Sequence, residues 1–379
     1  MPTEASGAAA DLKRAIIRHA ITADVQYVAR YVGSTRRLGS PLSGVAALWM
    51  APFMALFIHE SARRIDLDFP EVAVGISLSD EVRDIVARSR NALKLFEDTK
   101  RGIDGQVDFF RNEVVDPHRD RFIGGIRIGL LRGLGRDLGV FSYEGNPIGN
   151  THSAGFFMGI NSRLTLDRRR GPVAVRQTAV AYGEYFGELG AELLPGARSF
   201  LDGVDLNVLE IDKDVRSKKY YSAVFNDRAT PDLNALLCVF QGLVNLVARV
   251  QRLDTEPESR QTIMKLQYLT IYEVVRSLRL LLSARQYPLT NRSRDAAGRV
   301  VSLHGVSAYI GAHAAPLRNS LMHYDIDSRI PIDSWREGQL LYGFIEAVLG
   351  IPIDEFEEKL QRLVEEVAGV LNGWSTPAS

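Results

Sequence analysis

The sequence predicts a mostly α protein whose C-terminal part is an antiparallel helical bundle. Long stretches repeat apolar residues at three- and four-residue spacing, the period of a helix with one buried face. Capping residues, acids and prolines stand at the starts of these stretches, and basic residues or glycines stand at their ends. Beyond Pro231 the connections between stretches are short, which makes consecutive helices antiparallel neighbours.

In chain order, residues 8–33 place Leu12, Ile16, Ile17, Ile21, Val25, Val28 and Val32 at helical spacing. "SPLSGVAALWMAPFMALFIHESARR" (40–64) reads as a second helix with a basic end that suits the helix dipole. Its apolar centre, 44–58, is about five residues short of a membrane span and carries Pro52, so a buried core helix is expected. "SLSDEVRDIVARSRNALKLFEDTKRG" (77–102) opens on a serine cap followed by acids and closes on Lys-Arg-Gly. "DGQVDFFRNEVVDPH" (104–118) looks like another helix. The texture then changes. Glycines 124, 125, 129, 133, 135, 139, 145 and 149 crowd a segment read as irregular, with "GVFSY" (139–143) and "FFMGI" (156–160) as short strands. Helix resumes over 174–194, and "VDLNVLEIDKDV" (204–215) is one more extended piece.

From Pro231 the pattern is cleaner. "PDLNALLCVFQGLVNLVARVQRL" (231–253) and residues 256–286 are long amphipathic helices with proline at the first turn. Residues 295–324 are broadly helical with an interruption near Pro316, and 332–350 and 352–374 close the chain. The Pro/Asp/Thr stretch near 227–233 divides a largely helical N-terminal domain (1–228), which holds the Gly-rich segment, from a bundle domain (229–379).

Composition bounds the function. The chain has 379 residues, with 46 basic and 46 acidic side chains, so it can meet nucleic acid only through local patches. Cys238 is the single cysteine, so no intrachain disulfide forms. It sits in an apolar run, as a small core residue does. No secretory signal pattern opens the sequence, and a cytoplasmic protein without a membrane segment is expected.

The chemistry concentrates in "APLRNSLMHYDI" (315–326). Leu317, Leu321 and Met322 call for a core, whereas Arg318, Asn319 and His323 call for water, a partner or a substrate. On a helix Asn319 and His323 share a face. An imidazole can act as general base or acid, a guanidinium holds phosphate oxygens, and an amide orients either one. Together they suit metal-free RNA cleavage that leaves a cyclic phosphate. The bland alternative is a helix end whose Arg and His cap carbonyls and pair with Asp325 and Asp327.

"LRNSLMHYD" resembles the signature of the HEPN superfamily, helical-bundle domains of prokaryotic toxins, phage-defence ribonucleases and some nucleotide-binding proteins. That pattern is an Arg, four to six residues, then a His, with a polar residue, often Asn, directly after the Arg. Arg318, Asn319 and His323 match it. The resemblance covers roughly 231–375 and implies a metal-independent endoribonuclease acting on RNA, with Arg318, Asn319 and His323 as catalytic residues. It further implies a homodimer with two motifs facing each other, a role in phage defence or a toxin-like stress response, and an antitoxin or regulatory protein as partner. A looser copy, "FFRNEVVDPHRD", offers Arg111, Asn112 and His118, with a wider gap and Pro117 before the His; it reads equally as a surface turn.

Other signals are weaker. Arg127, Arg132 and Arg136 form neither a P-loop nor a dinucleotide fingerprint. Arg168, Arg169 and Arg170 are the strongest basic cluster and candidate RNA contacts. So are Lys218 and Lys219, which stand beside Tyr220 and Tyr221 where bases could stack. His304, His313 and His323 lack metal-ligand spacing, and neither metal nor cofactor is expected. Two alternatives stand beside the nuclease: a non-catalytic HEPN-like module binding nucleotide, RNA or protein, and a helical haem-type enzyme, since an axial ligand needs only one His.

Overall fold

The structure, a computed structural model, describes residues 3–39, 42–88, 102–112, 116, 138–158, 160, 170–191, 196–225, 231–330 and 342–375. It is mostly helical with one small antiparallel sheet.

The N-terminal half begins with two long helices, α1 (Thr3–Arg37) and α2 (Leu42–Asp68), packed on each other. Pro52 lies inside α2, where Trp49 to Ile58 are all buried. Short helices α3 (Pro70–Gly75), α4 (Asp80–Arg88) and α5 (Gly102–Phe110) follow. Strands β1 (Leu138–Tyr143) and β2 (Asn146–Asn150) form a hairpin whose turn residues Glu144 and Gly145 both have positive φ, 51° and 73°. That backbone matches the twist of the flanking strands. Helix α6 (Thr151–Phe157), α7 (Arg170–Glu188), strand β3 (Leu209–Val215) and α8 (Ser217–Ala223) complete this half. The sheet order is β2-β1-β3.

The strands expected at 139–143 and within 204–215 are present as β1 and β3. "FFMGI" is different: Phe156 and Phe157 lie in α6. Asn150 caps that helix by accepting the Ser153 amide at 3.0 Å, and the cap overrides the strand propensity of the short apolar run. The glycines from 124 to 135 lie outside the described residues.

The C-terminal half contains α9 (Pro231–Asn245), α10 (Arg260–Ser283), α11 (Asn291–Ser302), α12 (His304–Tyr309), α13 (Ala315–His323), α14 (Tyr342–Leu349) and α15 (Ile353–Ser375). Residues 231–253, read as one helix, change register: α9 passes into a π turn at Leu246–Val250 and then a 3₁₀ turn at Gln251–Leu253. The stretch 295–324 breaks at Leu303 and Gly311, while Pro316 starts α13, where a missing N–H costs nothing.

The segments Leu42–Asp68 and Pro231–Leu253 are long and apolar enough to cross a membrane, yet their most apolar windows are 61% and 94% buried within the fold. Buried residues on both sides of residues 226–230 belong to one hydrophobic cluster. Helix α9 lies against β2, and α13 packs on both α2 and α10.

Candidate functional site

Helix α13 buries Leu317, Ser320, Leu321 and Met322, while Asn319 and His323 reach the surface. It stops directly after His323 because Tyr324 takes a left-handed conformation (φ 48°, ψ 29°), a costly backbone for a bulky side chain. Surrounding contacts enforce it. The Tyr324 hydroxyl donates to Asp24 Oδ2 at 2.5 Å, and Lys265 Nζ lies 3.8 Å from the centre of its ring. Lys265 also bonds Asp24 Oδ2 at 2.5 Å, and Thr262 donates to Asp24 Oδ1 at 2.7 Å. All four residues are buried. Burial lowers the Lys265 pKa, with Asp24 opposing, and burial raises that of Tyr324. This clasp ties α1 and α10 to the end of α13 and so fixes where His323 stands.

His323 Nδ1 lies 2.9 Å from Glu60 Oε2. The Glu60 side chain is 1% exposed and that of His323 is 28% exposed, so a buried carboxylate backs a ring that reaches solvent. With the carboxylate as acceptor, Nδ1 is the donor of this bond, which leaves Nε2 as the other ring nitrogen. The ring borders a cleft of about 280 Å³ lined by Arg63, Arg64, Asn319, His323, Asp325 and Asp327.

Charges in the cleft are largely matched. Asp325 pairs with Arg64 and Lys13, each at 2.8 Å. Arg329 and its own backbone amide hold the Asp327 pKa down to about 2, with a further hydrogen bond from Asn319. Of the two arginines that line the cleft, Arg63 is the more exposed: its side chain is 59% exposed, against 10% for Arg64, and its Nη1 lies 3.8 Å from Glu60.

Arg318 points elsewhere. Its Nε and Nη2 both donate to Glu273 Oε1, at 3.1 and 2.7 Å, and Nη1 donates to Asn319 Oδ1 at 3.2 Å. Arg276 holds the other Glu273 oxygen at 3.0 Å. Burial raises the Glu273 pKa to about 7 against the lowering pull of Arg318. Thus Asn319 and His323 share the cleft, while Arg318 is not among its lining residues.

Arg111 of the looser copy donates to Asp232 at 2.6 Å and to Asp108 at 3.3 Å, joining α5 to the first turn of α9. Asn112 is exposed, neither residue lines the cleft, and His118 lies outside the described residues. Arg170 is exposed at the start of α7, whereas Arg168 and Arg169 lie outside the described residues. The same holds for Arg127, Arg132 and Arg136. Lys218 and Lys219 are exposed on α8. Their aromatic neighbours turn inward: Tyr221 is buried with its hydroxyl 3.3 Å from His152, and Tyr220 bonds the buried Cys238. The buried Tyr221 ring offers no stacking face to a base, and Tyr220 is only partly exposed.

Glu60 and Arg63 are the site residues that sequence reasoning missed. The available signal was the carboxylate that follows directly on the apolar run of α2 in "FIHESARR". Comparison with family models, curated proteins and solved structures finds no match for this chain.

Proposed function

We propose that this chain is a metal-independent endoribonuclease of HEPN type. The observation that carries the reading is the His323–Glu60 pair opening onto a polar cleft beside Asn319 and Arg63. In this reading His323 Nε2 takes the proton from a ribose 2′-hydroxyl, and the 2′ oxygen attacks the adjacent phosphorus. The bond to the 5′ oxygen breaks, and the proton passes to that leaving oxygen, directly or through solvent. The products are a 2′,3′-cyclic phosphate and a 5′-hydroxyl. Glu60 holds the ring and balances its charge as the proton arrives. Arg63 meets the phosphate, whereas Arg318 positions Asn319. The homodimer, the antitoxin or regulatory partner, the cytoplasmic setting and the role in phage defence or stress rest on the motif resemblance alone.

Cleavage of RNA in EDTA is the test. Wild type should cut and leave cyclic phosphate ends. His323→Ala and Glu60→Gln should each lose about 10²- to 10⁴-fold in kcat, the usual worth of a positioned acid–base group. A wild type that stays inert on varied RNAs, or a His323→Ala variant as active as wild type, would overturn the reading.

A second reading, a non-catalytic module that binds nucleotide, RNA or protein, draws on the matched charges of the cleft. It predicts RNA retention without cyclic ends, unaffected by Glu60→Gln.

A further inference from the structure

A second cavity, of about 650 Å³, adjoins the cleft, and Arg63 lines both. Its other walls come from α2, α3, α4 and the segment between α3 and α4, with Tyr185 of α7. The two cavities differ in chemistry. The cleft is lined by charged and amide side chains and one imidazole, whereas Ile65, Leu67, Ile76, Leu78 and Val86 make the larger cavity mainly apolar. Polar groups enter it at a few points, including His59 and Asp66.

Helix α2 divides the two. Residues 59, 62, 63 and 66 follow helical spacing and line the larger cavity, while Arg64 lines the cleft and Glu60 backs His323 from the same helix. Arg63 stands on the border, with an exposed guanidinium near Glu60. An apolar cavity with a few polar points, within the usual size of a small-ligand pocket, lies beside a cation at an acid–base centre. A nucleotide has matching parts: a flat, apolar-faced base with hydrogen-bonding edges, joined to an anionic phosphate.

We infer that the larger cavity is a nucleobase subsite, which seats the base of the nucleotide next to the scissile phosphate while Arg63 meets that phosphate. The inference rests on the ribonuclease reading for its place in a reaction, but base binding itself does not require cleavage. Leu67, whose exposure is 62%, and Ala87, also exposed, stand at the rim, where substitutions can fill or charge the cavity without disturbing the core.

The test is calorimetric titration of the full chain, in EDTA, with adenosine 3′-monophosphate, uridine 3′-monophosphate and inorganic phosphate. At least one nucleotide should bind about tenfold more tightly than inorganic phosphate. Ala87→Trp, which fills the cavity, and Leu67→Glu, which places a carboxylate at its rim, should each erase that advantage while phosphate binding stays. Circular dichroism checks that both variants are folded. If neither nucleotide binds more tightly than phosphate, or if both folded variants keep the advantage, the subsite is wrong. The two readings fail separately. An inert wild type that binds nucleotide in the Ala87-sensitive manner removes the nuclease and keeps the subsite. His323-dependent cleavage whose KM and base preference ignore Ala87→Trp and Leu67→Glu keeps the nuclease and removes the subsite.

Discussion

Glu273 is the residue on which Arg318 depends. Its side chain is 3% exposed and lies between two guanidinium groups, and burial raises its pKa from an ordinary value near 4.5 to about 7. A carboxyl whose pKa is higher folded than unfolded binds its proton more tightly in the folded chain. The resulting stability is fully present below the unfolded value and is lost as pH rises through about 7. Wild type should therefore lose about 3 kcal/mol between pH 4.5 and pH 8 relative to Glu273→Gln, which does not titrate there. Urea unfolding of both proteins across that range measures the difference, and a constant gap would refute the assignment. His323 and Asn319 were legible at this scale because a polar pair at helical spacing stands out in an apolar turn. Glu60 was not, since its partner is 263 residues away and no local spacing records such a meeting. The inward course of Arg318 was equally hidden, because it depends on a carboxylate from a different helix.

At the scale of elements, the long helices and two of the strands were readable because each carries its own period and punctuation, whereas the short helices α3 and α8 were not read. What escaped was set by neighbours or by local geometry. The N-cap at Asn150 turned an apolar run into α6, and the register change after Asn245 has no marker in composition. Helix α9 approaches β2 closely at Gly242, where an added Cβ would stand 3.2 Å from the Gly149 amide nitrogen and 3.3 Å from its Cα. Alanine is the better helix former by about 1 kcal/mol, but the obstacle is backbone, which yields poorly. Gly242→Ala should therefore destabilise by about 1–2 kcal/mol net, read as a lower urea midpoint at unchanged slope. The Asp24–Lys265 clasp gives a second expectation. Lys265→Met leaves a buried carboxylate without its cation and should cost about 3–5 kcal/mol, whereas Asp24→Leu combined with Lys265→Met should recover part of that loss. Chemical denaturation of wild type, both single variants and the double variant measures the coupling.

On the scale of the whole molecule, the division drawn at residues 227–233 separates segments that share one hydrophobic cluster and are joined through Asp24–Lys265, Arg64–Asp325 and Glu60–His323. The expected consequence is cooperative unfolding of both halves together. Trp49 in α2 and Trp374 in α15 are 5% and 2% exposed, so each reports the loss of its own surroundings. In variants that keep a single tryptophan, Trp335→Phe with Trp374→Phe and Trp335→Phe with Trp49→Phe, fluorescence should follow the same transition as far-UV circular dichroism, after allowance for each variant's own stability. Two separated transitions would mean that the halves fold apart.

The Glu60–His323 pair also has a meaning in time. A ribosome completes α2 long before it reaches His323, and for that interval the carboxylate has no imidazole to hold. Nor is the imidazole's arrival sufficient, since its place is fixed by Asp24 from the earliest helix and by Lys265 from a late one. A nascent chain thus lacks this centre until Asp24, Glu60, Lys265 and His323 have all emerged and closed on one another, so the chemistry proposed for the pair is withheld from the ribosome that makes it.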